Sequence, residues 1–251
     1  MKITYIAHSG FMVELERTVL LFDYYKGTIP PIPEEKMLYV FVSHRHEDHF
    51  NPEIFRIRHP LEHLCYILAY DIKLNERNCS RWGITESIRS RIYSLQADEK
   101  RYLPDEMQPD EMQPNGILTE TLKSTDEGVA FLVTAEGHTI FHAGDLNWWL
   151  WREESSSWNN SMTASFWREV EKISGRELDA AFLPLDDRQE EDFYKGMDWY
   201  LRNCSVKYAF PMHFWEDDSV IERFEQLECR KDYATIICDT AKKNIWEIMD
   251  E

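Results

Sequence analysis

Hydrophobic and polar positions alternate from the first residues. Lys2-Ile3-Thr4-Tyr5-Ile6-Ala7 and Phe11-Met12-Val13-Glu14-Leu15 each predict a strand, with a turn or bulge at His8-Ser9-Gly10 between them. Thr18 to Asp23 predicts a third strand and the apolar run Met37-Leu38-Tyr39-Val40-Phe41-Val42 a fourth. Asn51-Pro52-Glu53 then predicts a helix start, with Asn as N-cap and Pro in the first turn. Cys65 to Tyr70 predicts a buried strand and Thr85 to Ser90 a short helix capped by Thr85. Gly116 to Thr125 and Val129 to Val133 return to strand character, and Glu136-Gly137 predicts a hairpin turn into His138 to His142. From Trp148 the pattern reads as helical and aromatic with a Ser-rich break at Ser155-Ser156-Ser157, and residues 147–170 suggest a lid. A strand from Leu178 runs into the polar loop Asp186-Asp187-Arg188, followed by a helix from Glu190 to Arg202 and a strand from Val206 to Trp215. An acidic helix from Asp218 and a strand from Tyr233 to Ile237 read as scaffold. Pro104 to Pro114 duplicates Pro-Asp-Glu-Met-Gln; so acidic and proline-punctuated a run predicts an exposed loop.

At 251 residues the chain has the length of one large domain, residues 1–251. Its 43% hydrophobic content predicts a full core, and nine tryptophans exceed what a core alone asks for, so some are expected to line a cleft. The formal net charge of −18 repels polyanions and counts against a nucleic-acid partner, whereas a small anionic substrate remains compatible with a local positive site. The five cysteines are odd in number, with no Cys-x-x-Cys pair, and read as reduced thiols of a cytoplasmic protein. No apolar run approaches the ~18 residues of a membrane span, so no membrane partner is expected.

The chemistry concentrates at His44-Arg45-His46-Glu47-Asp48-His49, directly after the fourth strand. In an extended chain His44 and His46 share a face while Arg45 points away, which offers two imidazoles to one metal. A turn into a helix near Asp48 would swing Asp48 and His49 toward a second ion. A strand end downstream supplies a further donor, Asp145 after a glycine, able to give one oxygen to each of two ions. His8 is either a hydrogen-bonded turn residue or a contact of the site, and His142 either packs or supports Asp145. Asp187 and Arg188 are either a salt-bridged loop or substrate contacts, Arg188 suiting a phosphate or carboxylate.

His-x-His-x-Asp-His, followed in order by His142-Ala143-Gly144-Asp145 and Pro211-Met212-His213, resembles the metallo-β-lactamase superfamily. With Ala7-His8-Ser9-Gly10 it looks like the branch similar to ascorbate-6-phosphate lactonase. The resemblance implies an α/β (α+β) fold, a four-layer αβ/βα sandwich. It also implies that His44 and His46 hold one ion, that Asp48, His49 and His213 hold the other, and that Asp145 bridges them. The family also expects a histidine between the first motif and the Gly-Asp strand. None stands between His63 and His138, and Asp126 is the candidate substitute.

Nitrogen and oxygen donors without thiolate suit zinc, with manganese or iron also compatible. The expected activity is hydrolysis of a small, anionic ester, lactone or phosphodiester by a metal-activated water, with Asp48 orienting that water. The alternatives are a single-metal or non-catalytic ligand-binding protein of the same fold, and a nuclease.

Overall fold

The computed structural model describes residues 1–104, 116–215 and 217–249. The duplicated segment, apart from Pro104, lies outside the described residues. Strands β1 (Lys2–Ala7), β2 (Gly10–Glu14), β3 (Thr18–Phe22), β4 (Met37–Val42), β5 (Leu64–Ala69) and β6 (Ile92–Leu95) form one sheet, antiparallel through β3 and parallel from β3 to β6. A second sheet takes β7 (Lys100–Leu103), β8 (Ile117–Lys123), β9 (Val129–Ala135), β10 (His138–His142), β11 (Glu177–Pro184), β12 (Ser205–Met212) and β13 (Ile236–Ile237). It is antiparallel up to β10 and parallel from β10 onward. β14 (Ile245–Glu247) returns to the first sheet and pairs with β1.

The two-residue period of β4 explains why the sheets stack. Met37, Tyr39 and Phe41 point between the sheets, while Leu38, Val40 and Val42 point outward to Ile54 and Phe55. Aromatic contacts close the gap between the sheets, with Phe11 stacked 4.2 Å from Phe182 and Phe41 edge-on to Phe131 at 5.1 Å. On the outer face of the first sheet lie a 3-10 turn at Pro52–Arg56 and two short helices, α1 (Glu76–Trp82) and α2 (Glu86–Arg89). α3 (Ser156–Val170), α4 (Lys195–Asn203) and α5 (Ser219–Glu225) cover the second sheet, where Phe141 packs on Tyr200. The four-layer sandwich implied by the resemblance is the observed fold. No helix among the described residues is long and apolar enough to cross a membrane, and none of the five cysteines forms a disulfide.

Several element boundaries move. The helix expected from Trp148 begins at Ser156, because the serines read as a break are its start: Trp158 N–H donates to the Ser155 hydroxyl. The helix expected at Asn51 keeps its cap, with Glu53 N–H donating to Asn51, but is a single 3-10 turn. The expected Glu190–Arg202 helix divides into a 3-10 turn and α4, since Glu190 has a left-handed φ of 55°.

Parallel strands of both sheets end at one edge, where ligands of such sheets gather. Two glycines let the sheets close there. Gly128, at φ +70°, lies so near the end of β4 that a Cβ would stand 1.9 Å from the Ser43 carbonyl oxygen. Gly144, at φ +51°, would place a Cβ 2.8 Å from the Ser43 Cβ. Gly128→Ala should therefore cost about 2–4 kcal/mol in chemical denaturation. Gly175→Ala, with a similar φ of +76° but nothing within 4 Å, should cost about 1 kcal/mol from backbone strain alone. Equal losses would show that the approach to Ser43 carries no constraint.

Candidate metal centre

The His-rich motif starts where β4 ends. His44 is buried, and its Nδ1 lies 3.0 Å from the Ser43 hydroxyl. That hydroxyl donates to Asp23 Oδ2 at 2.5 Å, so it accepts from His44 Nδ1–H and leaves Nε2 bare. His49 is fixed in the same way, its Nδ1–H donating to Asp23 at 2.8 Å. His213 Nδ1 lies 3.0 Å from Asp186, which also receives Arg188. Three imidazoles are thus held through Nδ1 with Nε2 turned inward.

Asp145 stands between them. Its Oδ1 lies 3.1 Å from His49 Nε2 and 3.4 Å from His213 Nε2, and its Oδ2 lies 3.4 Å from His44 Nε2. Four buried side-chain atoms here, Nε2 of His8, His44 and His49 and Oδ1 of Asp145, have no hydrogen-bond partner among the described residues. Close approach without hydrogen-bond alignment is costly in a buried site unless a cation accepts these lone pairs. The donor set therefore fits a divalent metal, and the two oxygens of Asp145 face different histidines as a bridging carboxylate would.

On the other side, His46 Nδ1 lies 3.8 Å from Asp126 Oδ2, and donors of His46, Asp126 and Asp145 lie within 4.8 Å of one another. The structure thus brings Asp126 beside His46 and Asp145. His46 and Asp126 are open, with side-chain exposures of 42% and 50%. Asp48, at 20% exposure, faces both sides: it groups with His44 and His46, and also with His8, His49 and His213.

Protonation follows from these neighbours. Burial and the nearby His49 push His44 down to about 4. Burial alone would raise Asp145, but the charges of His49 and His213 hold it well below the carboxylate range. Burial opposes the charge of His49 as well, yet Asp145 and Asp23 keep it well above the ordinary imidazole value. Asp48 is likewise lowered against its partial burial, by the nearby His8 ring and the His49 charge.

A cavity of about 310 Å³ opens over the cluster, lined by Trp149, Trp151, Trp158, Met162, Trp215 and Arg188 among others. Trp149 donates its ring N–H to the Asp145 carbonyl and stacks at 3° on Trp151, 5.8 Å away. Arg188 lies against Trp151 and Trp215, with ring centroids 5.8 and 5.1 Å from its guanidinium carbon. The expected tryptophan-lined cleft is therefore present, although Trp148 turns into the core against Phe166.

The other sequence candidates divide. His142 is a support: Gly144 N–H donates to its Nδ1, so its Nε2–H donates to the Ser9 carbonyl, 2.9 Å away. It joins the β1–β2 turn to the Asp145 turn without facing the cavity. Asp187 turns outward to pair with Arg223; the acid that reaches the site is Asp186. Asp23, Ser43 and Asp186 were not singled out from sequence. Their signal was an acid or hydroxyl directly after an apolar strand, the pattern that marked Asp145.

Asp186 gives a pH test. Burial would raise its pKa, but hydrogen bonds from Arg188 and His213 lower it below the ordinary 3.8. A lowered acid contributes stability that is present above the unfolded pKa and lost as pH falls through the folded one. Asp186→Asn should cost metal-free protein about 2 kcal/mol near neutral pH. In urea titrations, the gap to wild type should stay level down to about pH 4 and close below it. A gap that widens below about pH 4 would contradict the assigned direction.

The family model described as Beta-lactamase superfamily domain matches residues 2–157. The chain is 28% identical over 224 residues to a metal-dependent hydrolase of Opitutus terrae, covering 85% of each protein. A metallo-hydrolase from the archaeon Ignicoccus hospitalis superposes with a TM-score of 0.58 at 15% identity, over 94% of this chain and 93% of that one. The diiron β-hydroxylase CmlA of Streptomyces venezuelae superposes at 0.56 and 10% identity, over 94% of this chain and 52% of that one. These two share the fold. With a match over more than half its length, the chain belongs to the metallo-β-lactamase superfamily.

Proposed function

We propose that the protein is a metal-dependent hydrolase of a small anionic ester, lactone or phosphodiester. The observation that carries this reading is the convergence of unpartnered buried donors on the two oxygens of Asp145. The name of the Opitutus relative agrees with it. His44, His46 and Asp126 would hold one ion, Asp48, His49 and His213 the other, and Asp145 would touch both. A divalent metal there supplies Lewis-acid activation of water and of the electrophilic centre. Zinc fits the nitrogen and oxygen donors, as do manganese and iron.

The chain's own residues do the rest. Asp48 stays ionised and, being partly exposed at the floor of the cavity, accepts a hydrogen bond from the attacking water and orients it. Arg188 spends Nε and Nη2 on Asp186, and its Nη1, without a partner among the described residues, would bind an anionic substituent of the substrate. Trp149, Trp151 and Trp215 exclude water around the reacting bond. The charge of −18 opposes a polynucleotide substrate, and cysteines that form no disulfide suit a reducing cytoplasm. A single-metal binding role is the second reading, favoured by the exposure of His46 and Asp126.

Protein purified without added metal should contain near two equivalents by elemental mass spectrometry, and Asp126→Ala should lose one. Lactones resembling a sugar-phosphate lactone and small phosphodiesters are the first substrates to screen. Asp48→Asn should lower kcat/KM at least about 10²-fold, and Arg188→Ala should raise KM more than it lowers kcat. One equivalent, indifferent to Asp126 and without turnover, would replace the hydrolase with the binding role.

A further inference from the structure

The metal-facing donors are not shared evenly between the two sides, and the difference is His8. It sits in the turn between β1 and β2, where the strand register shifts between Tyr5 and Ala7. Its backbone φ is 55°, a left-handed conformation that costs a residue with a side chain roughly 1–2 kcal/mol. The side chain is only 5% exposed, and its Nε2 is buried without a hydrogen-bond partner. The ring is wedged against Trp215 at 4.7 Å and lies 4.4 Å from the ring of His213. His213 is itself left-handed, with φ 65°, and its backbone N–H points to the His8 carbonyl at 3.4 Å. Two strained histidines from opposite sheets are thus locked together with their rings facing one point.

Distances name that point. His8 Nε2 stands 3.3 Å from Asp48 Oδ2, and His49 and His213 Nε2 each stand 3.8 Å from the same oxygen. Two donors about 2 Å from one tetrahedral ion are separated by about 3.3 Å, so these spacings suit a common ion better than a set of hydrogen bonds. Donor atoms of His8, Asp48, His49 and His213 all lie within 4.8 Å of one another, and the three histidines are buried.

We propose that His8 is a direct ligand of the ion held by Asp48, His49 and His213. This side is then the tight, first-filled site, and the side of His44, His46 and Asp126 is the weaker one. The inference rests on reading the cluster as a metal centre. With Asp48 and the shared Asp145, three histidines leave this side no vacant position, so the open position falls on the exposed side, where His46 and Asp126 border the cavity.

The test is a titration of chelator-stripped protein with Zn²⁺ against a chromophoric competitor, repeated with Co²⁺ to read its visible spectrum. His8→Asn removes the imidazole while keeping a residue that tolerates left-handed backbone. It should weaken the first equivalent at least about 10²-fold, the upper end of what losing an outer partner of a ligand costs, and change the Co²⁺ spectrum of that equivalent. Asp126→Asn should leave the first equivalent within twofold of wild type and weaken the second. Thermal denaturation of the stripped variants checks that both fold. Independently of any variant, one equivalent of Zn²⁺ should shift the ring ¹⁵N resonances of His8 in wild type to those of a metal-bound imidazole.

A first equivalent indifferent to His8→Asn with an unshifted ring would overturn the assignment. Loss of the tight equivalent in Asp126→Asn would overturn the order of filling. Failure of wild type to bind either metal would overturn the metal centre itself, and the hydrolase reading with it.

Discussion

The site depends on one junction, the close approach of the two sheets at Ser43. The Ser43 backbone N–H and hydroxyl both donate to Asp23, and its carbonyl accepts from Val129 N–H at the start of β9. Gly128 and Gly144 meet it from the second sheet, where a side chain on either would collide with it. The ends of β3, β4, β9 and β10 are therefore fixed relative to one another within a few ångströms. Without that fixing, the apolar packing between the sheets would still form, but donors from five strand ends would not converge.

Convergence creates an electrostatic problem that the same residues resolve. Asp145, Asp48 and Asp23 lie close together in or beside the core, and carboxylates so placed must be neutralised. In the metal-free protein this falls to His49, which stands between Asp23 and Asp145 and is held charged by both. His213 and Arg188 do the same for Asp186. Each acid that orients one of these histidines is thus itself satisfied by that histidine, so the imidazoles hold the orientation that the proposed metal centre would need. This is pre-organisation of a kind that spares a metal the cost of ordering its ligands.

Much of this was legible in the sequence because it is local or lies at strand ends. The six residues from His44 to His49 carry four donors, and Asp145 and His213 each end an apolar run, so pattern and position sufficed. The missing family histidine, and Asp126 near its place, followed from the family resemblance; that Asp126 reaches within 3.8 Å of His46 could not be read from sequence. What stayed hidden are choices that tertiary geometry makes. Asp186 and Asp187 are equivalent in sequence, and only the exit of β11 decides which one turns inward. Ser155 looked like a break because a helix cap and a helix interruption use the same residues. β14 pairs with β1 across almost the whole chain, a contact of a kind that no local pattern reports.

His8 is the clearest case of a residue whose meaning lies in three dimensions. Its neighbours in sequence argue for a turn, and a turn is what it forms. The unusual step is that a histidine occupies a left-handed position better suited to glycine or asparagine. Glycine would relieve the strain and leave a hole between Trp215 and His213. On the proposed assignment the strained backbone aims the His8 imidazole at Asp48 because a donor is required there, while the open side of the centre would face the cavity and its tryptophans. The asymmetry separates two demands on one site: holding an ion firmly, which favours burial and more nitrogen donors, and admitting substrate, which favours exposed ligands and a vacant position.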